Sequence, residues 1–130
     1  MQKAQNMIDD FELAEVAKSK AKTLSGGWQR RLSIAMALIS DPEILFLDEP
    51  TLGLDVLARR ELWNKISALK GKITVILTTH YLEEAESLSD QIGIMVKGNL
   101  VAEGTADELK NSVNATSFED AFVKIAEEGK

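Results

Sequence analysis

The chain has 130 residues, enough to bury a core without metals or disulfides, and no cysteine, which excludes disulfides, thiolate zinc sites and thiol catalysis. Hydrophobic residues make up 45% and charged residues 28%, the balance of a globular domain and not of a disordered chain. A net charge of −6 excludes a nucleic-acid partner held by a general basic surface, so any bound anion needs local amides, a metal ion or a few placed cations.

The first segment, "MQKAQNMIDDFE", lacks the apolar core of a signal peptide. The longest uncharged apolar runs, Leu32–Ser40 and Ile73–Leu82, are about half a membrane span. Both points predict a soluble, intracellular chain. Residues 1–22 are polar and helix-favouring, with Met7, Ile8, Phe11, Leu13 and Val16 at loosely helical spacing. A clearer helix is predicted over Trp28–Ile39, its apolar side formed by Leu32, Ile34, Ala35, Leu38 and Ile39, and Asp41-Pro42 stops it. Ile44–Leu47 reads as a strand buried on both faces, and a helix over Leu57–Leu69 carries the stripe Leu62, Ile66 and Leu69 before Gly71 ends it.

Ile73–Thr78 is a second buried strand, residues 81–89 a short helix, "IGIMV" a third strand, and "LVAEG" a fourth that forms a hairpin with it through "KGN". Two capping boxes, Thr105 with Glu108 and Thr116 with Glu119, open the last two helices, the second running to about Glu127. Alternating strands and helices predict one α/β domain with a parallel sheet.

Chemistry concentrates where strands end. "ILFL" runs into Asp48-Glu49 and "ITVILT" into Thr79-His80. Parallel neighbours would present Asp48, Glu49 and His80 at the carboxyl edge, where open α/β sheets bind ligands. A rigidly held Asp48 suits a magnesium ligand, and Glu49 can orient or deprotonate a water attacking a phosphoryl group. The plain alternative is that these residues only begin loops. Ser25, Gly26 and Gly27 stand before the amphipathic helix, where free N–H groups, the helix dipole and glycine's small size form an anion site. Ser25 as an ordinary N-cap is compatible with that. Arg30 and Arg31 read as a solvated first turn and are not assigned to phosphate.

"LSGGWQ", "ILFLDEP", "LGLD" and "TTH", in this order and spacing, resemble the nucleotide-binding domain of ATP-binding cassette (ABC) transporters, over about Ile8 to Leu109. Trp28 departs from the usual signature motif and displaces Gln29 by one position. "TLGLDVLARRELW" with "TTHYLEEAE" is most like the cassettes of drug, antibiotic or lipid exporters. The resemblance implies a partial P-loop NTPase-type parallel sheet flanked by helices. Residues 1–40 would belong to the helical signature subdomain, 41–104 to the Walker B, D-loop and H-loop core, and 105–130 to carboxyl-terminal helices. It also implies roles: Asp48 helps hold magnesium, Glu49 polarises the attacking water, and His80 contacts the γ-phosphate. Ser25, Gly26 and Gly27 bind the γ-phosphate of ATP held mainly by a second ATPase subunit in a head-to-tail dimer, with Asp55 at their interface. That dimer would drive a transmembrane permease from the cytoplasmic face of the membrane.

Phosphoryl transfer also needs G-x-x-x-x-G-K-[ST], which these 130 residues lack; Gly71-Lys72 is followed by Ile73. The chain therefore reads as the carboxyl-terminal portion of a cassette, beginning inside its helical subdomain. ATP and Mg2+ are expected in the intact protein and not bound tightly by this chain alone. The alternatives are half of a split cassette completed by another chain, and a non-enzymatic interaction module. In the family the P-loop strand lies between the strands matching Ile73–Thr78 and Ile92–Val96. These two are accordingly expected either to pair directly or to self-associate with another chain.

Overall fold

A computed structural model of the chain describes residues 4–6, 8 and 26–129. The helix expected over 1–22 therefore lies outside the described residues, except at 4–6 and 8, which are helical; Ser25 also lies outside. The chain divides into two compact units, Met1–Thr78 and Thr79–Lys130.

In the first unit, helix α1 (Gly26–Leu38) begins at the glycine pair, two residues before the expected start. It buries Ile34, Ala35 and Leu38. Asp41 then adopts φ 51°, and Pro42, which has no N–H to donate, prevents the helix from resuming. Strand β1 (Ile44–Asp48) follows. Helix α2 (Val56–Ser67) packs against α1 and leads to strand β2 (Thr74–Thr78). It buries Leu62 and Ile66 of the expected stripe together with Trp63, while Leu69 lies beyond its end. The helix closes at Ala68, and Gly71, at φ 81°, serves the turn that follows instead of the cap itself. β1 and β2 pair in parallel, in register from Ile44 with Thr74 to Asp48 with Thr78.

The expected burial of β1 on both faces is not what the fold delivers. Leu45 and Leu47 are buried, whereas Ile44 is 51% and Phe46 72% exposed. Register places Ile76, 44% exposed, beside Phe46 on the same face. A continuous apolar run signals a strand meant for coverage on both sides, and here only one side is covered.

In the second unit come helix α3 (Leu82–Leu88), strands β3 (Ile92–Val96) and β4 (Asn99–Gly104), and helices α4 (Ala106–Ser112) and α5 (Phe118–Glu128). β3 and β4 are antiparallel. Lys97 at φ 50° and Gly98 at φ 81° make the two-residue turn that matches the twist of a hairpin. The core joins Ile92 and Ile94 to Leu109, Phe118 and Ile125. Thr105 caps α4 through the Glu108 amide, as expected. The cap of α5 is Ser117, bonded to the Asp120 amide, one residue beyond the expected Thr116. Serine and aspartate there satisfy the same spacing as threonine and glutamate one position earlier.

Direct pairing of 73–78 with 92–96 does not occur: β2 pairs with β1 and β3 with β4, in two separate two-stranded sheets. The tight turn gives β3 a partner at the lowest loop-closure cost. The parallel arrangement expected of three strands is thus confined to β1 and β2. The open face of β1 and β2 leads to a prediction. Phe46→Ser should lower self-association measured by sedimentation at high concentration while moving the unfolding midpoint little, because an exposed ring contributes little to the monomer. Unchanged association would exclude that face as the contact.

Candidate active site

The pairing of Asp48 with Thr78 at the last register position sets the geometry. Thr78 Oγ1 donates to Asp48 Oδ1, fixing the carboxylate at the carboxyl end of the strands. The Glu49 amide donates to the Thr78 carbonyl at 2.8 Å, so the ladder extends one residue beyond the strand. Glu49 itself adopts φ 50°, a left-handed conformation that a non-glycine residue holds only when its surroundings dictate it. Its side chain is half-buried and its Oε2 is shielded from solvent.

Arg30, on the first turns of α1, supplies much of that constraint. Its Nη1 donates to the carbonyls of Glu49 at 3.1 Å and Pro50 at 2.5 Å, and its Nη2 to that of Leu52 at 2.9 Å. The loop closes on itself as well, with Leu52 N donating to Glu49 O at 3.2 Å and Leu54 N to Thr51 O at 3.1 Å. Pro50 and Thr51 are buried. Arg31 turns the other way: it bonds Glu61 of α2 at 2.5 Å and lies 4.7 Å from the centroid of the Trp28 ring. The solvated first turn expected of these arginines is therefore corrected. Both are engaged within the protein, and neither was legible as a structural anchor, because a basic pair at a helix start looks the same whichever way it points.

Gly26 and Gly27 form the first residues of α1. Asp55 is the N-cap of α2, its Oδ1 accepting from the Ala58 amide at 2.8 Å. A groove of about 450 Å³ runs along Arg30, Ile34, Leu47, Asp48, Glu49 and Pro50. A larger cavity of about 760 Å³ lies beside Asp41, Glu43 and Lys72, at the amino ends of the strands. Ligands of parallel sheets bind at the carboxyl ends, so the smaller groove is the candidate site.

His80 belongs to the second unit and is exposed, its ring 4.7 Å from that of Tyr81. A network unnoticed in the sequence holds its neighbours: Thr79 Oγ1 accepts from the Tyr81 amide at 3.0 Å and donates to Glu84 Oε2 at 2.6 Å. Glu84 is fully buried. A glutamate on a short helix gives no sequence signal of burial.

Among the described residues no group of three or more histidines, cysteines or acids could hold a metal ion. Asp48, anchored by the Thr78 hydroxyl, is a single fixed carboxylate of the kind that would help hold a magnesium ion accompanying a phosphate.

Comparison with known proteins bears on this arrangement. The sequence profile described as ABC transporter matches residues 1–52. A daunorubicin resistance ATP-binding protein of Streptomyces coeruleorubidus is 49% identical over 109 residues, 83% of this chain and 34% of that protein. ABC transporter A family member 11 of Arabidopsis thaliana is 50% identical over 108 residues, 83% of this chain and 11% of that protein. Among solved structures, an ATP-binding subunit of an ABC transporter aligns with TM-score 0.78 and 28% identity over 95% of this chain and 53% of its own. The chain belongs to the ABC transporter family.

Its fold is accordingly the α/β P-loop NTPase fold of ABC ATPase domains, of which it carries a part. The chain spans about a third of the length of the Streptomyces relative and about half that of the solved ATP-binding subunit. Among the described residues of this cassette segment, no helix is long and apolar enough to cross a membrane.

Two substitutions probe the local architecture. Asp55→Ala should destabilise the first unit by about 1 kcal/mol in denaturant unfolding, whereas Asp55→Asn, which keeps the cap, should cost little. Thr79→Val removes the hydroxyl that serves both Tyr81 and the buried Glu84, and should cost about 1–3 kcal/mol in the second unit. A Thr79→Val chain as stable as the parent would show that the network does not support the His80 turn.

Proposed function

We propose that this chain is the carboxyl-terminal portion of the ATP-binding subunit of a transporter, and that the intact protein hydrolyses ATP to drive export across a membrane. The observation that carries this reading is Glu49, held at φ 50° directly after the Thr78-anchored Asp48. Two adjacent carboxylates on a rigid backbone can divide the work: Asp48 helps hold the magnesium that accompanies the nucleotide, and Glu49 accepts the proton of the attacking water. Magnesium supplies charge neutralisation on the phosphate oxygens when bound.

In this reading residues 1–40 are the remainder of the signature subdomain, 41–104 the hydrolytic core and 105–130 the carboxyl-terminal helices. Ser25 and the Gly26 and Gly27 amides meet the γ-phosphate of ATP held mainly by a second subunit, in a head-to-tail dimer with Asp55 at its interface. His80, apart from that trans contact, contacts the γ-phosphate of the ATP that its own subunit hydrolyses. The helix start at Gly26 supports the anion site. A transmembrane permease would receive the motion, placing the ATPase at the cytoplasmic face of the membrane. The drug-resistance names of bacterial relatives favour an exported, drug-like substrate. Because these 130 residues contain no G-x-x-x-x-G-K-[ST] loop, the phosphate cradle must come from another segment, in the same polypeptide or a different one.

Three measurements test the assignment. Calorimetry of this chain with Mg-ATP should show no binding at micromolar concentrations, and clear one-to-one heat there would contradict the division of labour. In an ATPase completed by a phosphate-loop segment, Glu49→Gln should keep ATP binding and cut turnover by roughly 10²–10⁴, the scale of a lost general base; turnover within a few-fold of wild type would remove Glu49 from that role. Ser25→Arg should block the ATP-bound dimer and leave ATP binding by one subunit unchanged. Loss of that affinity with dimerisation intact would overturn the trans assignment.

A further inference from the structure

Arg30 ties the start of α1 to the loop that carries Glu49. Its guanidinium reaches three carbonyls, those of Glu49, Pro50 and Leu52, within the four residues that follow Asp48. A lysine ammonium could not reproduce this, because the planar fork presents donors from two nitrogens in fixed directions. The carbonyl of Glu49 also accepts from Leu52 N, so the left-handed residue is pinned from the helix side and from its own loop. The opposite side is pinned by the Glu49 amide on Thr78 O. Arg31, next in sequence, has a separate duty on Glu61 and Trp28 and cannot replace its neighbour.

We propose that Arg30 is a positioning residue for hydrolysis: it sets the backbone of Glu49, and it ties that backbone to the helix whose first residues are Gly26 and Gly27. A ligand engaged at the start of α1 then acts on the same rigid turn that carries Arg30, and a shift of that turn reaches Glu49 through the guanidinium. The helix start and the carboxylate loop respond as one unit, which gives a subunit a way to match its own hydrolytic carboxylate to the anion at its helix start. The kinetic consequence rests on Glu49 acting on the attacking water, whereas the restraint itself does not.

The two parts are therefore tested separately. In the 130-residue chain, Arg30→Ala should speed amide hydrogen exchange at Glu49, Leu52 and Leu54 by roughly tenfold to a hundredfold, the scale of losing charge-assisted hydrogen bonds, with Phe46 and Leu47 in β1 unchanged. In the ATPase completed by a phosphate-loop segment, the same variant should lose kcat by about 10²-fold, as expected of a misplaced catalytic group, with KM for ATP little moved. Free guanidinium ion, below denaturing concentrations, should restore part of kcat, which a general loss of stability would not allow. If Arg30→Ala fails to fold, Arg30→Lys, which keeps charge and length without the fork, should give the same pattern to a lesser degree. Exchange at Glu49, Leu52 and Leu54 that is unchanged in a folded variant would overturn the restraint. Faster exchange with wild-type kcat would overturn the catalytic role. An assembled wild-type protein without turnover would overturn the ATPase reading and Arg30's kinetic part, and exchange would still decide the restraint.

Discussion

The parallel register of β1 on β2 is the constraint from which the rest of the first unit follows. It sets Asp48 beside Thr78, so that a hydroxyl anchors the carboxylate, and it continues into the Glu49 amide on the Thr78 carbonyl. A slip of one residue would turn Leu45 and Leu47 to the open face and bring Phe46 inward, exchanging every side chain between faces. It would also remove the last ladder bond that holds Glu49. Burial on one face of a two-stranded sheet thus fixes the position of a pair of acids at its end. Arg30 completes the restraint from the helix side, and the strained residue persists because three separate elements hold it.

The positions of the candidate site residues were more legible in the sequence than the contacts that support them. Asp48 and Glu49 stood out because an apolar run ended in acids, and the glycine pair because it opened an amphipathic helix. Those signals are local, and the backbone follows them: β1 ends at Asp48 and α1 starts at Gly26. Arg30, Arg31 and Glu84 carried no such signal. A charged side chain looks solvated in a sequence, and only tertiary proximity shows that Arg30 meets loop carbonyls or that Glu84 is buried against Thr79. The displaced cap at Ser117 has a related cause, since Thr116 and Ser117 each precede an acid at the right spacing.

The composition of β1 and its exposure disagree, and the disagreement is informative. Ile44, Phe46 and Ile76 form an apolar face open to solvent, although the residue types suit a strand covered on both sides. The hairpin of β3 and β4, with α4 and α5, instead builds a closed core around Ile94, Leu109 and Phe118. Met95 and Leu100, paired in register on that hairpin, are exposed as well, so each unit leaves apolar strand surface open. The relatives that this chain matches extend well beyond the aligned region.

The central claim is that this chain supplies the hydrolytic carboxylates and that a phosphate-loop segment supplies the rest. Titrating the chain into such a segment at fixed Mg-ATP, and following phosphate release, tests it most directly. The account predicts no release from either component alone and a rate that rises to a plateau at one chain per phosphate-loop segment. Complex formation without phosphate release at any ratio would contradict it.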